Sequence, residues 1–253
     1  MVSPGAKFCS QCAHPIGLDG EHRAVNRFLS PDNYTPKHLA ARIMTTKRDL
    51  EGERKQVTVL FADIVGSLRI IADRDPEEAQ KLLDPVLDHM LEAVHHYEGM
   101  VNRVMGDGIM ALFGAPLAHE DHAVRACYSA LRMQQTIARY AEEVRRIHGA
   151  PITIRVGINS GEIVVSSINN DLYMDYTVVG QTAHLASRME QMAMPGSVLA
   201  AANTIQLVEG YVEAKSLGEM TIKGLVQPVE VFEITEGGIE RTRLQAAASR
   251  GLT

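Results

Sequence analysis

The chain starts polar and becomes periodic only near residue 34. Residues 1 to about 33 are rich in Gly, Pro, Ser and other polar residues, a composition expected to be poorly ordered. Tyr34 to Leu50 has helical spacing, with Leu39, Ile43 and Met44 on one side and Pro36 placed for a first turn. The mixed-charge run Lys47 to Lys55 reads as a solvated connector. Gln56 to Asp63 is nearly continuous in apolar residues, the pattern of a buried central strand. A helix then has a clear start: Asp75 as N-cap, Pro76 at the first position, Glu78 placed to complete a capping box. Leu82, Leu83, Val86, Leu87, Met90, Leu91 and Val94 keep its period, and Pro85 predicts a kink.

Further along, Gly106-Asp107-Gly108 predicts a tight hairpin between two strands. His119 to His148 repeats Val124, Cys127, Leu131, Ile137, Ala141 and Val144 at helical spacing, which predicts a long amphipathic helix. Ile152 to Ser166 reads as a strand pair broken at Asn159-Ser160-Gly161, and Met174 to Val179 as another strand. A helix from about Gln181 to Met192 follows, then short strands near Ser197 to Ala200, Tyr211 to Leu217 and Pro228 to Ile234. This order predicts an α+β domain with a ferredoxin-like βααββαβ core, an antiparallel sheet and helices packed on one face. The expected organisation is a polar segment over 1–33, a helical connector over 34–52, one folded domain over 53–236 and a linker over 237–253.

Composition narrows the function classes. Apolar residues make up 45% of the 253 positions, and the net charge is −6. With no basic stripe carrying interleaved aromatics, no nucleic-acid partner is expected. A nucleotide substrate remains compatible, because a local Mg²⁺ can dominate the field of a site in an acidic protein. No apolar run approaches the ~20 residues of a membrane span, and Met1 to Gly20 has no signal-peptide pattern, so no membrane partner and a cytoplasmic location are expected. Of the three cysteines, Cys127 falls on the apolar side of its helix and reads as core. Cys9-Ser10-Gln11-Cys12, followed by His14, resembles the second knuckle of a small zinc ribbon. There is no first knuckle, and half a tetrahedral site does not suffice for zinc.

Two segments carry the candidate chemistry. Val57-Thr58-Val59-Leu60-Phe61-Ala62-Asp63 ends in an aspartate before the Ile64-Val65-Gly66-Ser67 turn, and Gly106-Asp107-Gly108 precedes Ile109-Met110-Ala111-Leu112-Phe113. If the two strands are neighbours, both carboxylates meet at one sheet edge. Two carboxylates that repel each other need a reason to meet, and a pair of divalent cations holding a triphosphate supplies one. Read as turn chemistry alone, Asp107 is a hairpin residue and Asp63 a helix N-cap.

Together with Tyr176-Thr177-Val178-Val179-Gly180-Gln181-Thr182-Ala183-His184-Leu185-Ala186-Ser187-Arg188, these segments resemble the class III nucleotidyl cyclases, the adenylyl and guanylyl cyclases, over roughly residues 53 to 236. The resemblance implies two Mg²⁺ (or Mn²⁺) on Asp63, Asp107 and the Ile64 carbonyl, with phosphates at the Val65-Gly66-Ser67 turn. Leu68 departs from the hydroxyl residue that often follows that turn. By the same resemblance Thr177 faces the purine, Arg188 stabilises phosphate charge in the transition state, and Lys223 contacts the triphosphate from a C-terminal loop. His184 stands where the family usually has an asparagine that positions the ribose or transition state. Arg103 replaces the lysine that reads adenine N1 in adenylyl cyclases, whereas the guanylyl pattern has an acidic residue there, so ATP is favoured over GTP. The implied activity is conversion of ATP to 3′,5′-cyclic AMP and pyrophosphate. In the family the metal aspartates and the base-reading residues come from different subunits, which implies a homodimer. Two other readings stand beside it: a catalytically weak nucleotide-sensing or dimerisation module, and a guanylyl cyclase. Arg188 and Lys223 also admit a plain reading as surface charges.

Overall fold

The computed structural model describes residues 28, 31–46, 54–72, 74–149, 151–164 and 181–238. The CxxC with His14, the strand expected over 174–179 and Thr177 lie outside the described residues, as does nearly all of the 237–253 linker. In chain order the elements are α1 (Pro31–Tyr34), α2 (Lys37–Thr46), β1 (Arg54–Ile64), α3 (Ser67–Ile71), α4 (Pro76–His96), β2 (Met100–Met105) and β3 (Gly108–Phe113). Then come α5 (His122–His148), β4 (Ile154–Val164), α6 (Gln181–Met192), β5 (Val198–Ala201), α7 (Ala202–Val208), β6 (Val212–Met220) and β7 (Val229–Gly237). The strands form one seven-stranded sheet in the order β2-β3-β1-β4-β5-β7-β6. The α+β class follows, with β1 near the centre between antiparallel partners β3 and β4.

Two details of the expected sheet differ. It is not wholly antiparallel, since β5 runs parallel to β4. Nor are the helices confined to one face. Leu60, Ala62 and Ile64 of β1 pack in the main core with residues of α4, α5 and α7. Val57 and Val59, which alternate with them, join Leu39 and Ile43 of α2 and Ala183 and Ala186 of α6. A strand apolar on both sides needs cover on both sides, because bare apolar surface would stay in water.

Element ends follow local chemistry. The Asp75 carboxylate accepts from the Glu77 N–H at 3.0 Å, with Pro76 opening α4, which continues as one helix through Pro85. The first helical stretch is divided at Thr35-Pro36 into α1 and α2. Ile154–Val164 is one strand rather than a broken pair, because its turn-like residues find partners across the fold. Asn159 Nδ2 donates to the Thr182 carbonyl at 3.0 Å, and Ser160 Oγ lies 2.7 Å from Thr58 Oγ1 and 3.1 Å from Thr204 Oγ1. At the turn after α4, Glu98 adopts a left-handed backbone (φ 56°) and pairs with Arg42 of α2 and, at 3.0 Å, with Arg125 of α5.

Candidate active site

Asp63 is the penultimate residue of β1 and pairs with Gly108, the first residue of β3. Met105 and Gly108 close the β2–β3 hairpin, leaving Gly106 and Asp107 as its two-residue turn, with Gly106 at φ 66°. The Ile64 N–H donates to the Asp107 carbonyl at 3.2 Å, locking the turn against the end of β1. Gly108 is required by space: a Cβ there would lie 2.7 Å from the Ala62 carbonyl oxygen and 2.9 Å from Asp63 Oδ1. The two aspartates are therefore brought together, and Ser67 Oγ donates to Asp107 Oδ2. Asp63, Ile64, Gly66, Ser67 and Asp107 line a cavity of about 820 Å³ roofed by α4 residues such as Leu83 and Leu87. That volume suits a nucleotide-sized ligand. Val65 lies in the same turn, its N–H donating to the Thr153 carbonyl at 2.9 Å.

Burial raises the Asp63 pKa above its ordinary value, and the Asp107 charge raises it further, while Arg155 opposes both. Arg155 of β4 stands directly across the ladder from Asp63 and donates from Nη2 to Asp63 Oδ2 at 3.2 Å. Its Nε lies 2.5 Å from Oε1 of Glu190 on α6. This contact is a close ion pair, and among the described residues neither atom has another hydrogen-bond partner. Glu190 is also raised, first by burial and then, against Arg155, by Asp63 and Asp107. Asp63 and Glu190 thus share one guanidinium, with the Asp107 carboxylate close beside Asp63. An all-oxygen donor set with surplus negative charge fits a hard divalent cation such as Mg²⁺ or Mn²⁺. No group of three His, Cys, Asp or Glu ligands converges among the described residues, so such ions would complete their shells with phosphate and water.

Among the described residues, His184, Arg188, Arg103 and Lys223 do not line this cavity. His184 and Arg188 lie one turn apart on α6, on the reverse face of the sheet. A Cβ on Gly224 would lie 3.3 Å from His184 Cε1, so the imidazole rests on the loop that carries exposed Lys223. Arg188 Nη1 donates to Gln191 Oε1 at 2.6 Å, and among the described residues its buried Nε has no hydrogen-bond partner. Arg103 is exposed on β2. One chain therefore holds two groups of candidate residues that do not meet. Sequence reading missed Arg155 and Glu190. Their only local signal is a charge inside an apolar alternation in Ile154-Arg155-Val156 and Met189-Glu190.

Residues 51–236 match the family described as the adenylate and guanylate cyclase catalytic domain. The chain belongs to that family. Adenylate cyclase 1 of Rhizobium meliloti is 31% identical over 184 residues, which cover 72% of this chain and 28% of that protein. The chain thus spans under a third of that relative's length. The adenylyl cyclase CyaB from P. aeruginosa superposes with a TM-score of 0.69 at 29% identity, covering 77% of this chain and 98% of that one. The guanylate cyclase domain of RhGC from Catenaria anguillulae, in complex with GTP, gives a TM-score of 0.65 at 26% identity over 73% of this chain and 99% of that one. Cyclase domains of this family depend on divalent metal. No helix among the described residues is long and apolar enough to cross a membrane.

Proposed function

We propose that this cyclase domain converts ATP to 3′,5′-cyclic AMP and pyrophosphate at sites formed between two copies of the chain. The observation that carries the reading is the convergence of Asp63 and Asp107 beside a nucleotide-sized cavity that His184 and Arg188 do not reach. A two-fold dimer joins the Asp63 half of one chain to the Arg188 half of the other, twice. Asp63, Asp107 and the Ile64 carbonyl would hold two Mg²⁺ or Mn²⁺, which when bound supply activation of the ribose 3′-hydroxyl and charge neutralisation at the leaving pyrophosphate. The Val65-Gly66-Ser67 turn would receive phosphate oxygens at Gly66 and Ser67, since the Val65 N–H is already held by the Thr153 carbonyl. Arg155 adds a fixed positive charge beside them.

From the other chain, Arg188 offers a fork matched to phosphate oxygens. Lys223 adds a point charge, and His184 donates from the ring that rests on Gly224. Arg103 is a donor suited to adenine N1 and, with Thr177 at the base, favours ATP. In-line attack asks little covalent chemistry of the protein, so positioning and electrostatics do most of the work. The domain division and a cytoplasmic location belong to the same proposal.

His184, in place of asparagine, favours a second reading: a nucleotide-sensing module of low turnover. Purified protein incubated with ATP or GTP and Mg²⁺ or Mn²⁺ separates the readings. Cyclic AMP as main product supports the proposal. Cyclic GMP alone would make it a guanylyl cyclase, and metal-dependent nucleotide binding without product would favour the sensing module.

A further inference from the structure

At Gly157 the α6 helix sits on β4 with no side chain between the two backbones. A Cβ on Gly157 would lie 1.9 Å from the Glu190 nitrogen and 2.4 Å from the Ala186 carbonyl oxygen. This contact fixes where the Glu190 side chain enters the interior, where the residue is only 7% exposed. A buried carboxylate is costly unless a cation meets it, and the cation that meets it is Arg155. Arg155 also holds Asp63, so one guanidinium is divided between two carboxylates on opposite sides.

We infer that Glu190 is a positioning residue for the metal half-site: by holding Arg155 it keeps the Asp63 carboxylate available to a divalent cation. The inference rests on the metal reading of Asp63 and Asp107 given above. When a cation approaches Asp63, the guanidinium must yield that carboxylate, and Glu190 is the partner that retains it. Without the Glu190 charge, Arg155 has one carboxylate left and competes with the cation for it. Loss of the charge also makes the cavity less negative, which acts in the same direction. Glu190 lies about 200° around α6 from Arg188. The helix thus presents Arg188 outward and Glu190 inward.

The test uses the full chain without nucleotide, titrated with Mn²⁺ and followed by calorimetry and by the electron paramagnetic resonance of free Mn²⁺. Glu190→Gln keeps the shape and an acceptor but removes the charge. It is expected to weaken Mn²⁺ binding by about five-fold or more, an effect of the size that half-buried charges exert at short range. Arg155→Gln is expected to tighten binding. In the Arg155→Gln background, adding Glu190→Gln should weaken binding clearly less than it does in the parent, the remainder being the loss of charge near the cavity, because residues acting through one another are not additive.

An unchanged Mn²⁺ affinity in Glu190→Gln overturns the inference. So does the same loss with and without Arg155, since Glu190 would then act by bulk charge alone. Thermal melting of each variant checks the fold. If Glu190→Gln does not melt cooperatively, Arg155→Gln carries the test, and unchanged or weaker Mn²⁺ binding in it overturns the inference. Asp63→Asn separates this inference from the reading it rests on. If that variant binds Mn²⁺ like the parent, or if the parent binds none, the metal reading itself fails and this inference with it. If Asp63→Asn abolishes binding while Glu190→Gln leaves it intact, only the positioning role is lost.

Discussion

Gly157 of β4 lies so close beneath Glu190 of α6 that an added methyl group would come within 1.9 Å of the Glu190 backbone nitrogen. Backbone cannot swing aside like a flexible side chain, so Gly157→Ala must lift α6 from the sheet. Overpacking of this kind costs ~1–3 kcal/mol or more, a fall of roughly 3–10 °C in melting temperature for a domain of this size. Circular dichroism melts measure it. An unchanged melting temperature would show that α6 is free to slide on β4.

Asp63→Ala and Asp107→Ala are each expected to lower cyclase turnover by about 100-fold or more, as several kcal/mol of charge stabilisation are lost. Neither should lower the melting temperature of metal-free protein, because removing one carboxylate relieves the repulsion that raises the Asp63 pKa. Near-parental turnover in both variants at saturating Mn²⁺ would refute the metal reading.

His184→Asn tests whether histidine is a compromise at its position. If asparagine is the better transition-state donor, turnover rises, because one well-placed hydrogen bond of this type is worth ~2–4 kcal/mol. Steady-state rates of parent and variant at saturating ATP decide it. A slower variant would mark His184 as adapted to this site.

Buried His95 gives stability a defined pH dependence. Burial, helped by the nearby His38, lowers its pKa from 6.5 to about 4. Between those values the unfolded chain takes up a proton that the folded chain refuses. His95 therefore costs stability progressively as pH falls from 6.5 toward about 4. Urea titrations at neutral and mildly acidic pH should show a steeper loss in the parent than in His95→Gln. Parallel losses would place the sensitivity elsewhere.

Mixing inactive Asp63→Ala and Arg188→Ala chains tests the shared site. Each mixed dimer puts both defects in one site and leaves the other intact. With random pairing, recovery approaches about a quarter of the parental activity and rises with protein concentration. No recovery despite demonstrated subunit exchange would place Asp63 and Arg188 in a site within one chain.

Local chemistry made part of this domain legible before any coordinates. The Asp75-Pro76 start of α4 follows from its cap, and the Asp63 and Asp107 breaks from turn-forming residues. What escaped depends on partners distant in sequence. Asn159-Ser160-Gly161 resembles a turn, yet Thr58, Thr182 and Thr204 satisfy it inside a strand. The seven-residue α7 follows β5 directly from Ala201, with no side-chain cap to announce it. Arg155 and Glu190 look like stray charges until the β1–β4 register and the Gly157 contact bring them to Asp63. Helices on both faces followed from β1 being apolar on both sides, a fact visible in the sequence but not carried through to the layers.

The Arg42–Glu98 pairing and the burial of Leu39 and Ile43 make α2 part of the domain's interior, although the family match begins only at residue 51. A truncation at that boundary would remove Leu39 and Ile43 from the apolar layer they share with Val57, Val59 and Leu112, and would open part of that layer to water. The stretch before residue 51 is therefore more than a tether: a piece cut to the family match would leave behind two side chains of its own core.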